Sequence, residues 1–228
     1  MFLASFPSGA WQANCYLMAP AENAECVIID PGQDAAEMVD RLVVEHGLTP
    51  SAVLATHGHF DHVADAATVA DRYGVPVYID PADRHLLTDP AAGLDISGAA
   101  MIRQLIGSGM AEPDDVRGYP CGTLSVAGIE ISVLPAPGHT AGSVLLSVPT
   151  REHPGVDRIV FSGDVVFAGS VGRTDLPGGD QPTMLRSLRE VVLALPERTA
   201  LLPGHGPQTS LANERLHNPY LQPDFLRN

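Results

Sequence analysis

The sequence His57-Gly58-His59-Phe60-Asp61-His62 places three imidazoles and one carboxylate within six residues. Both are ligand types that suit zinc, iron and manganese. Residues 52–56 are apolar and partly β-branched, which predicts a buried strand, and the apolar spacing over 61–70 predicts a helix. The first two histidines would leave the strand end and the Asp-His pair would lie in the first helical turn. Two ligand pairs facing different directions suit two adjacent metal ions better than one. The alternative is that Asp61 caps the helix and the histidines are loop residues.

Three further fragments repeat this local design, because each places a potential ligand just after a predicted strand and beside a glycine. Glycine lets the backbone turn sharply or approach a bound centre closely. Taken alone, each fragment is more typical of a turn, but together with the first cluster all three become candidate ligand positions. The fragments are 129–134 followed by Pro137-Gly138-His139-Thr140, 159–162 followed by Gly163-Asp164, and 200–202 followed by Pro203-Gly204-His205-Gly206.

In this order, the four fragments resemble the metallo-β-lactamase superfamily. Asn14-Cys15-Tyr16-Leu17, Ile29-Asp30-Pro31-Gly32 and residues 172–180 are similar to its glyoxalase II-like branch of short hydrolases. The resemblance spans about residues 1–215. It implies an α/β fold, a four-layer αβ/βα sandwich, with a dinuclear metal site between two sheets.

The resemblance also implies a ligand set, and no position of that set is missing here. One metal would be bound by His57, His59 and His139, and a second by Asp61, His62 and His205, with Asp164 bridging both. We expect two divalent ions, with zinc first and iron or manganese as alternatives, because His and carboxylate sites accept all three.

The composition does not divide the 228-residue chain. Apolar residues make up 45% and charged residues 18%, which is ordinary for a globular protein, and no linker or repeat is visible. We therefore expect one domain over 1–228. Helical patterns at 34–47 and 182–194 would cover the outer faces of the sheets, and a short helix is expected near 210–217.

The formal charge of −14 argues against nucleic-acid partners, because phosphate backbones require a basic surface. The three cysteines, Cys15, Cys26 and Cys121, have no CxxC spacing, and we expect them to be small buried hydrophobes. The first residues lack the pattern of a signal peptide, and no apolar run approaches the ~20 residues that span a bilayer. The sequence therefore predicts a cytoplasmic protein without a membrane partner.

The chemistry follows from the metals. Two ions could hold a bridging hydroxide at neutral pH and polarise a carbonyl. We predict attack on an acyl thioester, with Asp61 and Asp164 as catalytic ligands and Asp61 also orienting the hydroxide. The thiolate leaves without a dedicated general acid, and the chain offers no obvious spare acid. By resemblance, the leading substrate is S-lactoylglutathione.

The chain departs from the glutathione-specific members, which carry a helical C-terminal domain with basic residues. We expect no such domain here, since only Arg215 and Arg227 are cationic among the residues after His205. Arg173 is the one cation in the glycine-rich loop 169–180 and could anchor a substrate carboxylate. The alternative is an ion pair between Arg173 and Asp175 or Asp180. Residues 85–118 look like a flexible crossover or lid.

Other functions stay open. Persulfide dioxygenases share this frame but bind one iron through the equivalents of His57, His139 and Asp164. A non-catalytic, metal-stabilised module is less favoured, because the second ligand set is complete. The same hydroxide could also serve a lactonase or a β-lactamase. The remaining histidines are expected at the surface or in packing positions: His46, His85, His153 and His217.

Overall fold

Two six-stranded sheets dominate the computed structural model, which describes residues 1–107, 109–150, 152 and 154–227. The first sheet contains its strands in chain order: β1 (Phe2–Ser8), β2 (Ala13–Ala19), β3 (Glu25–Ile29), β4 (Thr49–Leu54), β5 (Val77–Tyr78) and β6 (Val116–Arg117). β1, β2 and β3 pair antiparallel, whereas β3, β4, β5 and β6 pair in parallel.

The second sheet contains β7 (Thr123–Val126), β8 (Ile129–Pro135), β9 (Val144–Pro149), β10 (Arg158–Gly163), β13 (Thr199–Pro203) and β14 (Thr209–Ser210). Their spatial order is β14-β13-β10-β9-β8-β7. A separate hairpin joins β11 (Val166–Phe167) and β12 (Ser170–Val171). The sequence predicted the strands at 129–134, 159–162 and 200–202, and each prediction is confirmed to within two residues at either end.

The helices are short, and none among the residues that the structure describes is long and apolar enough to span a membrane. They are α1 (Ala36–Glu45), α2 (Phe60–Val63), α3 (Ala66–Tyr73), α4 (Ile96–Ile106), α5 (Gln181–Ser187), α6 (Leu211–His217) and α7 (Pro223–Leu226). Turns of 3₁₀-helix cover Arg84–Leu87, Pro90–Gly93 and Pro219–Leu221, and a π-helical turn covers Leu188–Val192 after α5.

Alternating side chains give the first sheet two apolar faces. Leu17, Ile28 and Val53 pack with the apolar faces of α1 and α3. Their neighbours Met18 and Ile29 point the other way, into a core shared with the second sheet. Successive residues of a strand face opposite sides, so a sheet covered on both faces is apolar throughout.

The second sheet is covered in the same manner. Phe161 and Ile131 face the first sheet, whereas Val160 and Leu201 pack against α5, the following π-helical turn and α6. Helix, sheet, sheet and helix thus form the four-layer αβ/βα sandwich that the resemblance implied, which is confirmed.

The strand directions position the site. β3 and β4 run in parallel in the first sheet. In the second, β8 and β10 both pair antiparallel with β9, and β10 is parallel to β13, so these three run in one direction. Strands that run together end at the same edge of a sheet, and loops beyond such ends are where α/β folds assemble sites.

The helix predicted over 61–70 is interrupted, which corrects the sequence prediction. α2 ends at Val63 and α3 begins at Ala66. At the break, the Asp65 carboxylate accepts a hydrogen bond from the Ala36 backbone N–H at 2.8 Å, and the Asp65 N–H donates to the Pro31 carbonyl. The chain turns here because these tertiary hydrogen bonds replace helical ones.

Three smaller differences concern exposure and helical content. Cys15 and Cys26 are buried as expected, but Cys121 is exposed, because it lies in the bend that precedes β7. The strand predicted at 52–56 ends at Leu54. Residues 85–118 contain α4 and two 3₁₀ turns, which the sequence analysis did not anticipate.

Replacing Phe161 by Ala should destabilise the protein by about 3–5 kcal/mol, since it empties the space between the sheets where Phe161 packs edge-on to Tyr16. The free energy of unfolding in urea measures this. Val44→Ala, on the exposed face of α1, is the control and should change stability by less than about 0.5 kcal/mol. Equal effects of the two substitutions would contradict the assigned packing.

Candidate metal centre

Seven side chains meet at the edge where the parallel strands end. They come from the loops after β4, β8, β10 and β13, and all seven were predicted from the sequence: His57, His59, Asp61, His62, His139, Asp164 and His205. Their ligand atoms form three overlapping groups, each with all atoms within 4.8 Å of one another. Distant parts of the chain therefore converge on one site.

The first group consists of His57, His59 and His139, which are all buried. His59 Nδ1 lies 2.9 Å from His139 Nε2. The rings of His57 and His139 meet edge to face, with centroids 4.8 Å apart. Three imidazoles that point nitrogens at one small volume are the donor set of a transition-metal site.

The second group consists of Asp61, His62 and His205. Asp61 Oδ2 lies 3.1 Å from His205 Nε2 and 3.6 Å from His62 Nε2. The two Nε2 atoms are themselves 3.3 Å apart. Asp61 lies inside the first turn of α2, and His59 precedes that helix without a side-chain capping hydrogen bond, so the alternative role of Asp61 as a helix cap finds no support.

Asp164 lies between these two groups, because the third group consists of His57, His62 and Asp164 and so shares one histidine with each. Its Oδ2 is 3.5 Å from His139 Nε2 and 3.6 Å from His205 Nε2, which belong to different groups. Its Oδ1 is 3.4 Å from His62 Nε2. A carboxylate that faces imidazoles of both groups has the geometry of a bridging ligand. Gly204 makes this approach possible, because a Cβ at that position would lie 2.2 Å from Asp164 Oδ1.

Unpartnered atoms show that these residues fit a cation. His57 Nε2, His59 Nε2 and Asp164 Oδ1 are buried and make no hydrogen bond. A buried polar atom without a partner costs free energy, so native proteins supply one. A divalent metal satisfies lone pairs of imidazole and carboxylate together, and the cluster suits such an ion.

The protonation states differ between the two groups. Burial lowers the pKa of the His59 imidazole to about 3, and burial followed by the neighbouring His62 lowers the pKa of His57. Burial alone would raise the pKa of Asp61 and Asp164, but the facing imidazoles, His62 foremost, hold both below the ordinary value. Burial alone would lower the pKa of His62 and His205, but the facing carboxylates, Asp61 foremost, raise both. Neutral imidazoles and ionised carboxylates are the forms that bind metals, so an ion in the second group must displace protons from these two rings.

The buried carboxylate of Asp30 belongs to neither group but contacts His62 of the second one. Asp30, directly after β3, accepts hydrogen bonds from the Thr56 N–H and Thr56 Oγ1, both at 2.7 Å. Its Oδ2 also lies 3.0 Å from His62 Nδ1. An acceptor on Nδ1 fixes the ring and leaves Nε2 free to face a metal.

A second buried carboxylate joins the loops of the first group. Asp83 accepts hydrogen bonds from the Gly58 N–H at 2.9 Å, the Thr140 hydroxyl at 2.6 Å and the Gly142 N–H at 2.8 Å. The loop that carries His57 and the loop after β8 are thereby held to the same two oxygens.

Sequence reasoning missed the roles of Asp30 and Asp83. Asp30 belongs to the motif Ile29-Asp30-Pro31-Gly32, and like the predicted ligands it follows a strand and lies close to a glycine, which is the signal that could have found it. Asp83 carries no local signal, because its partners lie 25 to 59 residues away along the chain.

Arg173 contributes through its backbone. Its carbonyl oxygen lies 2.7 Å from His139 Nδ1, which orients that ring. Its guanidinium donates two hydrogen bonds of 2.7 Å to the Asp175 carboxylate. The structure thus forms the ion pair with Asp175 that the sequence left as an alternative to a substrate anchor.

The other predicted surface histidines lie away from the centre. His46 pairs with Glu22, and His85 and His217 are exposed. His153 lies outside the described residues.

Comparison with known proteins agrees with this geometry. The model of the metallo-beta-lactamase superfamily matches residues 8–205, and the chain belongs to this family. It is 37% identical over 215 residues to YqgX of Bacillus subtilis, which is named a probable metallo-hydrolase, covering 94% of this chain and 95% of that protein. It is 32% identical over 216 residues to the hydroxyacylglutathione hydrolase GloC of Haemophilus influenzae, again covering 94% and 95%.

Solved structures extend the likeness. The B3 metallo-beta-lactamase BLEG-1 is 37% identical with a TM-score of 0.81, covering 97% of this chain and all of that one. TTHA1623 in a di-iron-bound form is 35% identical with a TM-score of 0.72 and the same coverage. ETHE1 from Myxococcus xanthus is 26% identical with a TM-score of 0.71, covering 97% and 84%. Proteins with different names therefore share this fold.

Asp83→Asn should weaken zinc binding by about 10–100-fold. The NH₂ group of the new amide would face at least one of the three groups that now donate hydrogen bonds to Asp83, and the loops that carry the ligands would loosen. Calorimetric zinc titration of the folded metal-free protein measures the affinity. Asp89→Asn, an exposed carboxylate of the same segment, is the matched control and should leave the affinity unchanged. Unaltered zinc affinity in Asp83→Asn would show that the three hydrogen bonds do not position the ligands.

Proposed function

We propose that this chain is a metal-dependent hydrolase that binds two divalent ions and cleaves thioesters. The observation that carries the proposal is the completeness of both ligand groups around Asp164. His57, His59 and His139 would hold one ion, and Asp61, His62 and His205 the other, with Asp164 shared. Zinc is the first candidate. Iron is the second, because the similar TTHA1623 has a di-iron-bound form.

When bound, the two ions supply a hydroxide nucleophile at neutral pH and polarise the substrate carbonyl. The residues of the chain place the reactants. Asp61 is partly exposed and lines a cavity with Phe60, so its carboxylate can accept a hydrogen bond from the nucleophile and orient it towards a substrate there. Asp164 keeps the two ligand groups together.

The side chains of the cavity wall indicate which leaving group the site can serve. Among the described residues that line the cavity, the ionisable ones are Asp61, Asp95 and Arg173. The Gly98 N–H and the Ser97 hydroxyl hold the pKa of Asp95 below its ordinary value, so it is ionised and cannot act as an acid. A thiolate leaves without protonation, whereas an amide nitrogen or an alkoxide leaves poorly as an anion. This favours a thioester.

The named relatives support the same class. GloC is named for hydroxyacylglutathione hydrolysis, which is cleavage of a thioester. The likeness to ETHE1 favours one specific alternative, the persulfide dioxygenase with a single iron on His57, His139 and Asp164. The likeness to BLEG-1 favours a β-lactamase. The assembled Asp61, His62 and His205 argue against the single-iron alternative.

Asp164→Ala should abolish hydrolysis of a lactoyl thioester and reduce the bound metal, because both ligand groups lose their shared oxygen donor. Metal content by elemental analysis and the thioester rate are measured together. Asp157→Ala, which removes an exposed carboxylate paired with Arg198, is the control. An Asp164→Ala protein with full turnover would rule out the bridging role.

Elemental analysis of the purified protein, paired with three assays, tests the function. We expect two metals per chain and cleavage of a lactoyl thioester such as S-lactoylglutathione. One iron per chain with oxygen uptake on glutathione persulfide would favour the dioxygenase instead. Hydrolysis of a chromogenic cephalosporin without thioester cleavage would favour the β-lactamase.

A further inference from the structure

An apolar trench leads away from the candidate metal centre. Its inner part, a cavity of about 180 Å³, begins at Asp61. Six of the ten described residues that line it have large apolar side chains: Trp11, Phe60, Leu94, Met101, Ile102 and Leu176. A substrate that presents its carbonyl near Asp61 must place part of its body against these side chains.

The trench continues outwards. Its outer part, of about 460 Å³, is lined by Ala10, Gln33, Gln104 and Leu105 together with Trp11 and Met101. Because Trp11 and Met101 line both parts, the two cavities adjoin. No acidic or basic side chain lines the outer part within the described chain.

The apolar wall is exposed to an unusual degree. Among the described residues, six large apolar side chains are exposed, and three of them line this trench: Trp11 at 37%, Met101 at 48% and Leu105 at 55%. Trp11 also stands edge-on to Phe60, with ring centroids 5.7 Å apart. Exposed apolar side chains gathered beside a reaction centre mark a ligand-binding surface.

The charge of the trench is unfavourable for an anionic substrate. Asp61 and Asp95 line the inner part, and Arg173 is the one cation among its described lining residues. Both carboxylate oxygens of Asp175 already accept hydrogen bonds from Arg173. Elsewhere, Arg215 donates to the carbonyls of Leu193 and Leu195. A carboxylate entering the trench would lose water without gaining an unpaired cation.

We infer that the thioester cleaved here, if the proposed function holds, carries an uncharged apolar or aromatic thiol that lies along Trp11 and Met101. Glutathione, with two carboxylates and an ammonium group, is then a poor carrier for this enzyme. The inference deepens the proposed function, on which it rests, by naming the chemical class of the thiol.

A pair of substrates with the same acyl group tests the inference. The zinc-loaded protein is assayed with S-lactoylglutathione and with the lactoyl thioester of benzyl mercaptan. We expect kcat/KM to be about tenfold or more higher for the benzyl thioester, because the aromatic ring removes apolar surface of the trench from water. A higher or equal value for S-lactoylglutathione overturns the inference and leaves the proposed function intact.

Two substitutions locate the effect. Met101→Glu should lower the benzyl-to-glutathione ratio of kcat/KM by about tenfold, because it adds a charge to the apolar wall. Asp175→Asn should raise kcat/KM for S-lactoylglutathione by about threefold or more, because it frees Arg173 to pair with a carboxylate. Leu216→Glu is the matched control, since Leu216 is an exposed apolar residue on α6, away from the trench wall. An unchanged ratio in Met101→Glu overturns the assignment.

Fluorescence gives a readout that does not depend on turnover. Trp11 is the single tryptophan of the chain, so its emission reports directly on the trench. Benzyl methyl sulfide should perturb this emission at about tenfold lower concentration than S-methylglutathione. If neither thioester is cleaved, the proposed function fails, while the fluorescence titration still decides whether the trench prefers an uncharged aromatic thiol group. Equal or reversed affinities would overturn the inference.

Discussion

Five imidazoles and two carboxylates converge where the strands of the two sheets end. Their nitrogen and oxygen atoms lie so close together that a bound cation would stabilise the arrangement. Four of the imidazoles are buried, and ring nitrogens of different residues approach to 2.9 and 3.3 Å. Buried atoms such as His57 Nε2 and Asp164 Oδ1 make no hydrogen bond within the described chain, and a bound metal would satisfy their lone pairs. The layered fold can hold this arrangement because three apolar cores fix the strands from which the ligand loops emerge. Metal binding and the integrity of these loops are therefore coupled.

Rigidity around the cluster comes from carboxylates that do not face a metal. Asp30 joins the ends of β3 and β4 and reaches His62, whereas Asp83 joins the loops that carry His57 and His139. Each is buried and accepts hydrogen bonds from the loops that carry ligands, so these two carboxylates restrain the ligand geometry. Preorganised ligands lose less conformational freedom when the metal binds, which raises affinity.

The sequence predicted the parts of this design that have local signals. The His-rich motif, the strands before each ligand and the four layers followed from periodicity, spacing and family resemblance. Two features escaped because tertiary contacts determine them. Asp83 bonds to residues far along the chain, and the helix that begins at Phe60 breaks where Asp65 reaches Ala36. The ion pair between Arg173 and Asp175 was one of two alternatives that the sequence left open, and the structure forms it.

The identity of the reaction depends on whether both ligand groups bind a metal at once, with Asp164 between them. A crystal structure of the zinc-loaded protein, with anomalous scattering recorded above and below the zinc edge, measures this most directly. We predict two zinc peaks, both in contact with the carboxylate of Asp164. A single peak at His57, His59 and His139, with His205 turned away from the site, would contradict the account.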